Sequence, residues 1–398
     1  MTFFENNGSF TRQNIFFQLV RVLFPKILLA SPPHLWKIKR KYLSESFKKP
    51  CLKSFEEIVN RESKFILNTI EEKVDKGFFD IRKVIEKHVC FITLEFYTQC
   101  YDRDYLFSQI EDVLELLKVS QNLSEKLVKY PFLLIPYLSL LTKEGYDYAN
   151  RRKLLKKKFE KLIQNMDCST DVKDNVVITQ IHKIKHHDKH YNDDDICDEI
   201  LGLVVPGYET VSFTIIVTLF YLGLHNETQS KVRKEVNKIF DERENKITNQ
   251  QDVAKMILLD GVINEVMRLH PPVNFFGVTS ESGFDVNGQK FPEGTNVIIP
   301  LTIIHRNEEY FTNSNQFKPE RFWNAKASDF DAAFMPFGRG SRFCIGFRFG
   351  LLETKVILAN IIHEYVFETI GHQQSFKIKT MLGSMVDSEI YIKFSKIQ

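Results

Sequence analysis

Phe337-Gly-Arg-Gly-Ser-Arg-Phe-Cys-Ile-Gly346 is the stretch from which the rest of the chain is read. It sets Cys344 on a glycine-rich loop that runs straight into an amphipathic helical pattern. A sulfur so placed lies among exposed backbone N–H groups and near the positive end of a helix. Both favour the thiolate, which is the form that binds metal. Gly338, Gly340 and Gly346 allow tight turns and the close approach of a flat ligand. Arg342, two residues before the sulfur, offers a charge-assisted fork to a carboxylate. For a lone cysteine, burial as a small inert side chain is the alternative reading. The residues around this one, and the motifs far from it, argue for the ligand.

Outward from the loop, Glu265 and Arg268 stand three apart on a helical pattern and share a face. His270-Pro-Pro272 stops that helix, and Pro319-Glu-Arg-Phe322 follows. Upstream, a long apolar helix carries Gly207-Tyr-Glu-Thr210. The Thr210 hydroxyl can bond the carbonyl one turn back and distort the helix, while Gly207 leaves room beside a ligand. Trp36 and Arg40, four apart, lie on one face of a basic helix over 36–47. Taken singly, each of these fits a plain structural role: an exposed ion pair, an incidental Glu-Thr, a solvated basic face.

Together they resemble the cytochrome P450 family. Phe337, Gly340, Arg342, Cys344 and Gly346 meet every fixed position of its heme-loop pattern, Phe-x-x-Gly-x-Arg-x-Cys-x-Gly. The resemblance implies heme b, an iron protoporphyrin, with Cys344 as the axial thiolate and metal ligand. Phe337 would pack against the loop, with Gly338 and Gly346 shaping it. It implies that Glu265, Arg268 and Arg321 form a buried structural triad, where stranding one charge would cost roughly 3–5 kcal/mol. It implies that Glu209 and Thr210 are the acid–alcohol pair that brings protons to oxygen at the iron, beside Gly207. Trp36, Arg40 and Arg342 would hold the heme propionates, with His305 a further candidate. Lys37, Lys39, Lys41 and Arg348 would surround the thiolate side and receive an acidic electron donor.

In detail the chain resembles the animal branch that includes fatty-acid omega-hydroxylases, with departures. Pro206 stands where that branch commonly has Glu, so no covalent heme ester is expected. Val211 replaces the second Thr of its Thr-Thr, and Val278 stands where it places a propionate-binding arginine. Only 35 residues precede Trp36, so the expected chain is one lacking the family's N-terminal anchor and first elements, with open edges in its β-lobe.

Bulk properties agree. The 398 residues suffice for a large core, and 43% hydrophobic with 26% charged content is ordinary for a globular protein. A net charge of +3 does not suggest nucleic acid. Six scattered cysteines without Cys-x-x-Cys spacing argue against a zinc site or a disulfide framework. No run of eighteen apolar residues predicts a transmembrane span. Helical spacing is expected over 55–76, 80–101, 146–166, 227–240 and 258–270. A further helix should open at an Asp193 cap and run to about Leu224. Residues 168–195, with His186-His187, are expected to be a solvated loop. Short strands are expected at 283–288 and 297–299, with an Asn287-Gly288 hairpin turn, and again around Ile390, Ile392 and Phe394.

The fold class expected is therefore mainly α with a small β-rich lobe. One cytochrome P450 domain would fill 1–398, its helical part about 34–270 and its mixed lobe and heme loop about 271–398. The function implied is a monooxygenase inserting one atom of O2 into a hydrophobic small molecule: a fatty acid, hormone or xenobiotic. An NADPH-dependent reductase would supply electrons at the cytosolic face of the endoplasmic reticulum membrane. The family associates with membranes, although no span is predicted in this chain. The alternatives are a catalytically silent truncated relative and a heme isomerase or dehydratase that does not use O2. A helical scaffold without cofactor leaves the cysteine loop unexplained.

Overall fold

Apolar residues recurring every three or four positions place the helices. They are α1 (Ile15–Leu23), α2 (Pro33–Ser46), α3 (Lys49–Glu71), α4 (Arg82–Thr98), α5 (Arg103–Lys129) and α6 (Lys143–Asp167). There follow α7 (Val177–His187), α8 (Asp193–Leu224), α9 (Asn226–Asp241), α10 (Gln250–Lys255), α11 (Ile257–Leu269) and α12 (Phe347–Glu364). The strands are β1 (Phe10–Thr11), β2 (Phe79–Asp80), β3 (Phe275–Ser280), β4 (Phe284–Val286) and β5 (Gln289–Phe291). The rest are β6 (Asn296–Pro300), β7 (Tyr365–Thr369), β8 (Ile378–Thr380), β9 (Ser384–Val386) and β10 (Tyr391–Lys396). This computed structural model describes residues 10–11, 15–135, 137–167, 176–187, 191–242, 248–323, 325, 327–330, 333–372, 375–380 and 383–397. The architecture is mainly helical with small antiparallel sheets, the expected fold class.

Two compact units share the chain: Met1–Cys51, Thr93–Pro206 and Phe276–Ile299 form one, and Leu52–Ile92, Gly207–Phe275 and Pro300–Gln398 the other. In the first, α5 and α6 run antiparallel, with Lys126 on Glu144 at one end and the Tyr105 hydroxyl on the Lys158 carbonyl at the other. The basic run of α6 is spent on acids of its neighbours. Arg151 pairs with Glu115 and Lys158 with Asp112, both on α5. Arg152 and Lys156 reach Asp198 on α8. Sheet order is β1-β3-β6, with β4-β5 apart. Among the described residues β6 is an edge strand, and its Ile298 is exposed. Asn287 and Gly288 take φ of 52° and 85° between β4 and β5, the paired left-handed residues of a two-residue hairpin.

Three local expectations need correction in this unit. Within 168–195 lies α7, whose Val177, Ile178, Ile181 and Ile184 are buried. The Ile spacing of three carries that helix, and the polar flanks mask it. His186 and His187 are exposed at its end, while 168–175 and 188–190 lie outside the described residues. The cap of α8 is Asn192: its Oδ1 accepts from the Asp195 N–H at 3.0 Å, and Asp195 Oδ2 accepts from the Asn192 N–H at 2.8 Å. Lys39, expected on a docking surface, is fully buried on Glu199 and the Lys26 carbonyl. The same carboxylate accepts from the Leu28 N–H at 2.6 Å and the Tyr191 hydroxyl at 3.2 Å.

The second unit is built on α12, whose buried Leu352, Val356, Ile357 and Ile361 face its neighbours. Phe349 meets Phe55 of α3 at 5.0 Å, and the Asn360 amide donates to Ser63 on α3 at 2.9 Å. Its sheet has the order β2-β10-β7. In β10, Ile392 and Phe394 are fully buried between more accessible neighbours, the expected alternation. Segment Asp194–Leu224 of α8 is long and apolar enough to cross a membrane by length and composition. Its most apolar window, however, is 78% buried inside the protein, as befits a core helix.

Lys39→Ala strands the Glu199 charge in a fully buried site and should cost about 3–5 kcal/mol of unfolding free energy. Urea unfolding reads this; a loss under about 1 kcal/mol would refute the buried pair as described.

Candidate active site

The cysteine loop folds as its glycines dictate. Gly338 and Gly340 have φ of +74° and +73°, a region that side chains resist. Gly346 sits at −93°, so its backbone does not demand glycine, contrary to the equal role expected of all three. The Gly338 N–H donates to the Met335 carbonyl at 3.0 Å, and the Cys344 N–H donates to the Phe337 carbonyl at 3.0 Å. The loop thus closes on itself three residues before α12 begins. Phe337, Phe343 and Phe347 ring it, with centroids 4.9–6.4 Å apart.

Cys344 is exposed, unlike the other described cysteines. Burial pushes the Cys197 thiol up to about 12 and the Cys90 thiol higher still, so both stay protonated and inert. No group of three His, Cys, Asp or Glu able to hold a metal occurs among the described residues. The donor set at Cys344 is therefore a single sulfur on a glycine loop. That suits a metal arriving with its own equatorial ligands rather than a site built wholly from side chains.

Opposite requirements meet in α8. From Ile196 to Gly223 every residue is buried except Pro206, Gly207 and Thr210. These are spaced i, i+1, i+4 and so share one face. An apolar core helix accessible along a single short face presents that face to a ligand. Pro206 has no N–H to give the carbonyl four residues back. Beyond it α8 is continuous, and the Ser212 and Thr214 hydroxyls donate to the carbonyls of Tyr208 and Thr210 at 2.7 Å. Gly350, six residues after the cysteine, brings α12 against this stretch. A Cβ there would lie 3.4 Å from Val211 Cγ2. The helix that begins at the sulfur loop thus touches α8 one residue past Thr210. The sequence carries no signal for that contact, because 139 positions separate Gly350 from Val211.

Behind the loop, Glu265 and Arg268 are both fully buried. Arg268 gives two bonds of 2.8 Å to the two carboxylate oxygens. It also donates to the carbonyls of His305 at 3.0 Å, Ser314 at 2.6 Å and Gln316 at 3.2 Å. Arg321 Nε lies 3.1 Å from Glu265, and the Lys318 N–H donates to that carboxylate at 2.8 Å. The structure brings all three charged residues together.

His305, a further candidate for the propionates, lies in the second unit. It is fully buried, its Nε2 accepts the Met335 N–H at 3.1 Å, and its ring meets Phe334 at 5.2 Å. Burial holds its pKa down at about 4, so the ring is neutral and braces the approach to the cysteine loop. Trp36 and Arg40 lie half-buried on α2, in the first unit. Arg342 is half-buried in a single turn, Gly340–Arg342, of the loop. Lys37, Lys41 and Arg348 are exposed. Val278 is buried in β3.

The sequence profile described as Cytochrome P450 matches residues 6–394. The chain belongs to the cytochrome P450 family, whose members are heme-dependent monooxygenases, and it is an enzyme of that class. Among its relatives, cytochrome P450 4c21 of Blattella germanica is 30% identical over 88% of this chain and 73% of that protein. Cytochrome P450 3A17 of Cavia porcellus is 33% identical over 62% of this chain and 45% of that protein. Cytochrome P450 4V2 of Homo sapiens is 24% identical over 93% of this chain and 73% of that protein.

The buried neutral imidazole ties stability to pH. His305 binds no proton when folded until about pH 4, yet does so near 6.5 when unfolded. Its contribution is complete above 6.5 and is lost as pH falls toward 4, at about 1.4 kcal/mol per pH unit. Urea unfolding across that window should show a slope that His305→Gln reduces; an unchanged slope would contradict the assignment.

Proposed function

We propose that this chain binds heme b through Cys344 and inserts one atom of O2 into a hydrophobic small molecule, with electrons from an NADPH-dependent reductase. One observation carries the reading: from Ile196 to Gly223 the accessible residues of α8 are Pro206, Gly207 and Thr210, and Gly350, on the helix following Cys344, lies against Val211. When bound, the heme would supply oxygen activation, with Cys344 as the residue that would hold its iron through sulfur. The chain's own residues do the rest. Cys344 stands three residues before the N-terminal end of α12, which a metal-binding sulfur would face. Gly207 carries no side chain and allows close approach, and Thr210 presents a hydroxyl on the accessible face. Glu209, buried beside it, holds and passes protons. The family likeness implies that Arg342, and likewise Trp36 and Arg40, would donate to a propionate. Pro206 has no carboxyl, so no ester to the heme forms.

A second surface bears on substrate and location. Between α5 and α6, Phe132, Ile135, Tyr137, Leu140 and Leu141 are 44–85% exposed. Lys129 and Lys143 flank them, both exposed. Apolar side chains ringed by lysines suit the surface of an anionic bilayer. We assign them to it, at the cytosolic face of the endoplasmic reticulum, where hydrophobic substrates partition.

Reduced protein expressed with heme supply should give the red-shifted carbon monoxide band of thiolate ligation. Cys344→Ala should erase it, whereas Thr210→Ala should keep it and divert electrons from product. A protein without the band would favour the catalytically silent alternative, and turnover of a peroxide without O2 the isomerase. Phe132→Ser with Leu141→Ser should weaken sedimentation with vesicles of 30% phosphatidylserine by roughly tenfold; unchanged sedimentation would remove the bilayer assignment.

A further inference from the structure

Glu199 gathers donors from three places in the first unit. Its Oε1 accepts the Leu28 N–H at 2.6 Å, while its Oε2 accepts from the Lys39 ammonium and, at 3.2 Å, from the Tyr191 hydroxyl. Lys39 also donates to the Lys26 carbonyl and lies 5.0 Å over the Tyr191 ring. Both charged side chains are fully buried. One carboxylate thus ties the middle of α2 to α8, and the segment leading into α2 to the same point. The inward side of α2 shows what this tie is for. Its buried residues are Lys39, Leu43 and Ser46, at i, i+4 and i+7 along one stripe. One of the three is a hydrocarbon. So thin an apolar stripe gives the helix little reason to prefer one rotation about its axis. The ammonium gives it one, because it must meet Glu199 and the Lys26 carbonyl together.

We propose that Lys39, through Glu199, is a positioning residue for Trp36 and Arg40: the buried pair fixes the rotation of α2 at which both side chains donate to heme propionates. The proposal rests on the reading of those two residues as propionate donors. Trp36 and Arg40 stand about 60° and 100° round the helix from Lys39, on the same side of it. A turn of α2 by about 20° carries a side chain at the helix surface sideways by roughly 2 Å. That is enough to break a hydrogen bond. Against an apolar pair of like volume a buried ion pair gains little stability. What it adds here is a fixed direction.

The test uses the heme-loaded protein carrying 5-fluorotryptophan, as its ferrous carbon monoxide complex. The chain has two tryptophans, and the fluorine resonance of Trp36 is identified by its loss in Trp36→Phe. Lys39→Met strands the Glu199 charge and should lower the urea midpoint. Lys39→Met with Glu199→Gln removes both charges and should recover most of that midpoint. The Trp36 resonance should be displaced or split in the single and the double variant alike, with that of Trp323 unmoved. Hemin transfer to excess apomyoglobin should quicken about tenfold in the double variant, and less than about twofold when Trp36→Phe and Arg40→Ala are already in place. A Trp36 resonance at its wild-type position in the double variant overturns the proposal, as does hemin loss that quickens as much in that background. The fluorine resonance is read without turnover or heme release. Unchanged hemin transfer in Trp36→Phe with Arg40→Ala therefore overturns only the propionate reading, and the resonance still decides whether Lys39 sets the rotation of α2.

Discussion

A guanidinium with no contact with water stays charged only if every donor is answered, and Arg268 meets that condition. Its fork closes on both oxygens of Glu265 and its remaining N–H groups on three carbonyls between His305 and Gln316. Removing any partner would leave a charge in an apolar interior, so the set holds as a whole or fails as a whole. Its consequence is positional. α11 and the irregular segment of residues 305–321 become one rigid piece, braced through His305 and the Met335 N–H up to the start of the cysteine loop. The base of the loop that presents the sulfur is thereby tied to the buried charge cluster.

The site then follows from two exceptions to burial. Cysteine is ordinarily hidden, and Cys344 is exposed. Core helices are ordinarily sealed, and α8 is accessible along one face. Gly350 brings α12 against Val211 of α8, so that in the second unit the helix after Cys344 touches α8 one residue past Thr210. The buried acids and cations elsewhere have structural work. Lys39 with Glu199, and Arg152 and Lys156 with Asp198, bind neighbouring helices to the first half of α8.

Much of this was legible in the chain. Glycines at 338 and 340 announce a loop that other residues resist, Asn287-Gly288 announces a hairpin, and the spacing of Glu265 and Arg268 announces a shared face. α7 was obscured because its isoleucines sit between polar flanks, and local composition outweighed the period. Lys39 misled for a different reason. A lysine in a basic helix reads as solvated, and nothing local tells that Glu199, 160 residues later, arrives to bury it.

The sequence by itself determined what is encoded within a turn or two: a sulfur on a glycine loop before a helix, an acid and a hydroxyl adjacent on an apolar helix, a carboxylate and a guanidinium on one face. Backbone sterics and helical period operate over that range, so residue order suffices. Tertiary structure alone decided which charges lost their water, which face of α8 stayed accessible, and that Lys39 and Glu199 meet. Burial and contact depend on segments far apart in the chain, and no local pattern records which of them will meet.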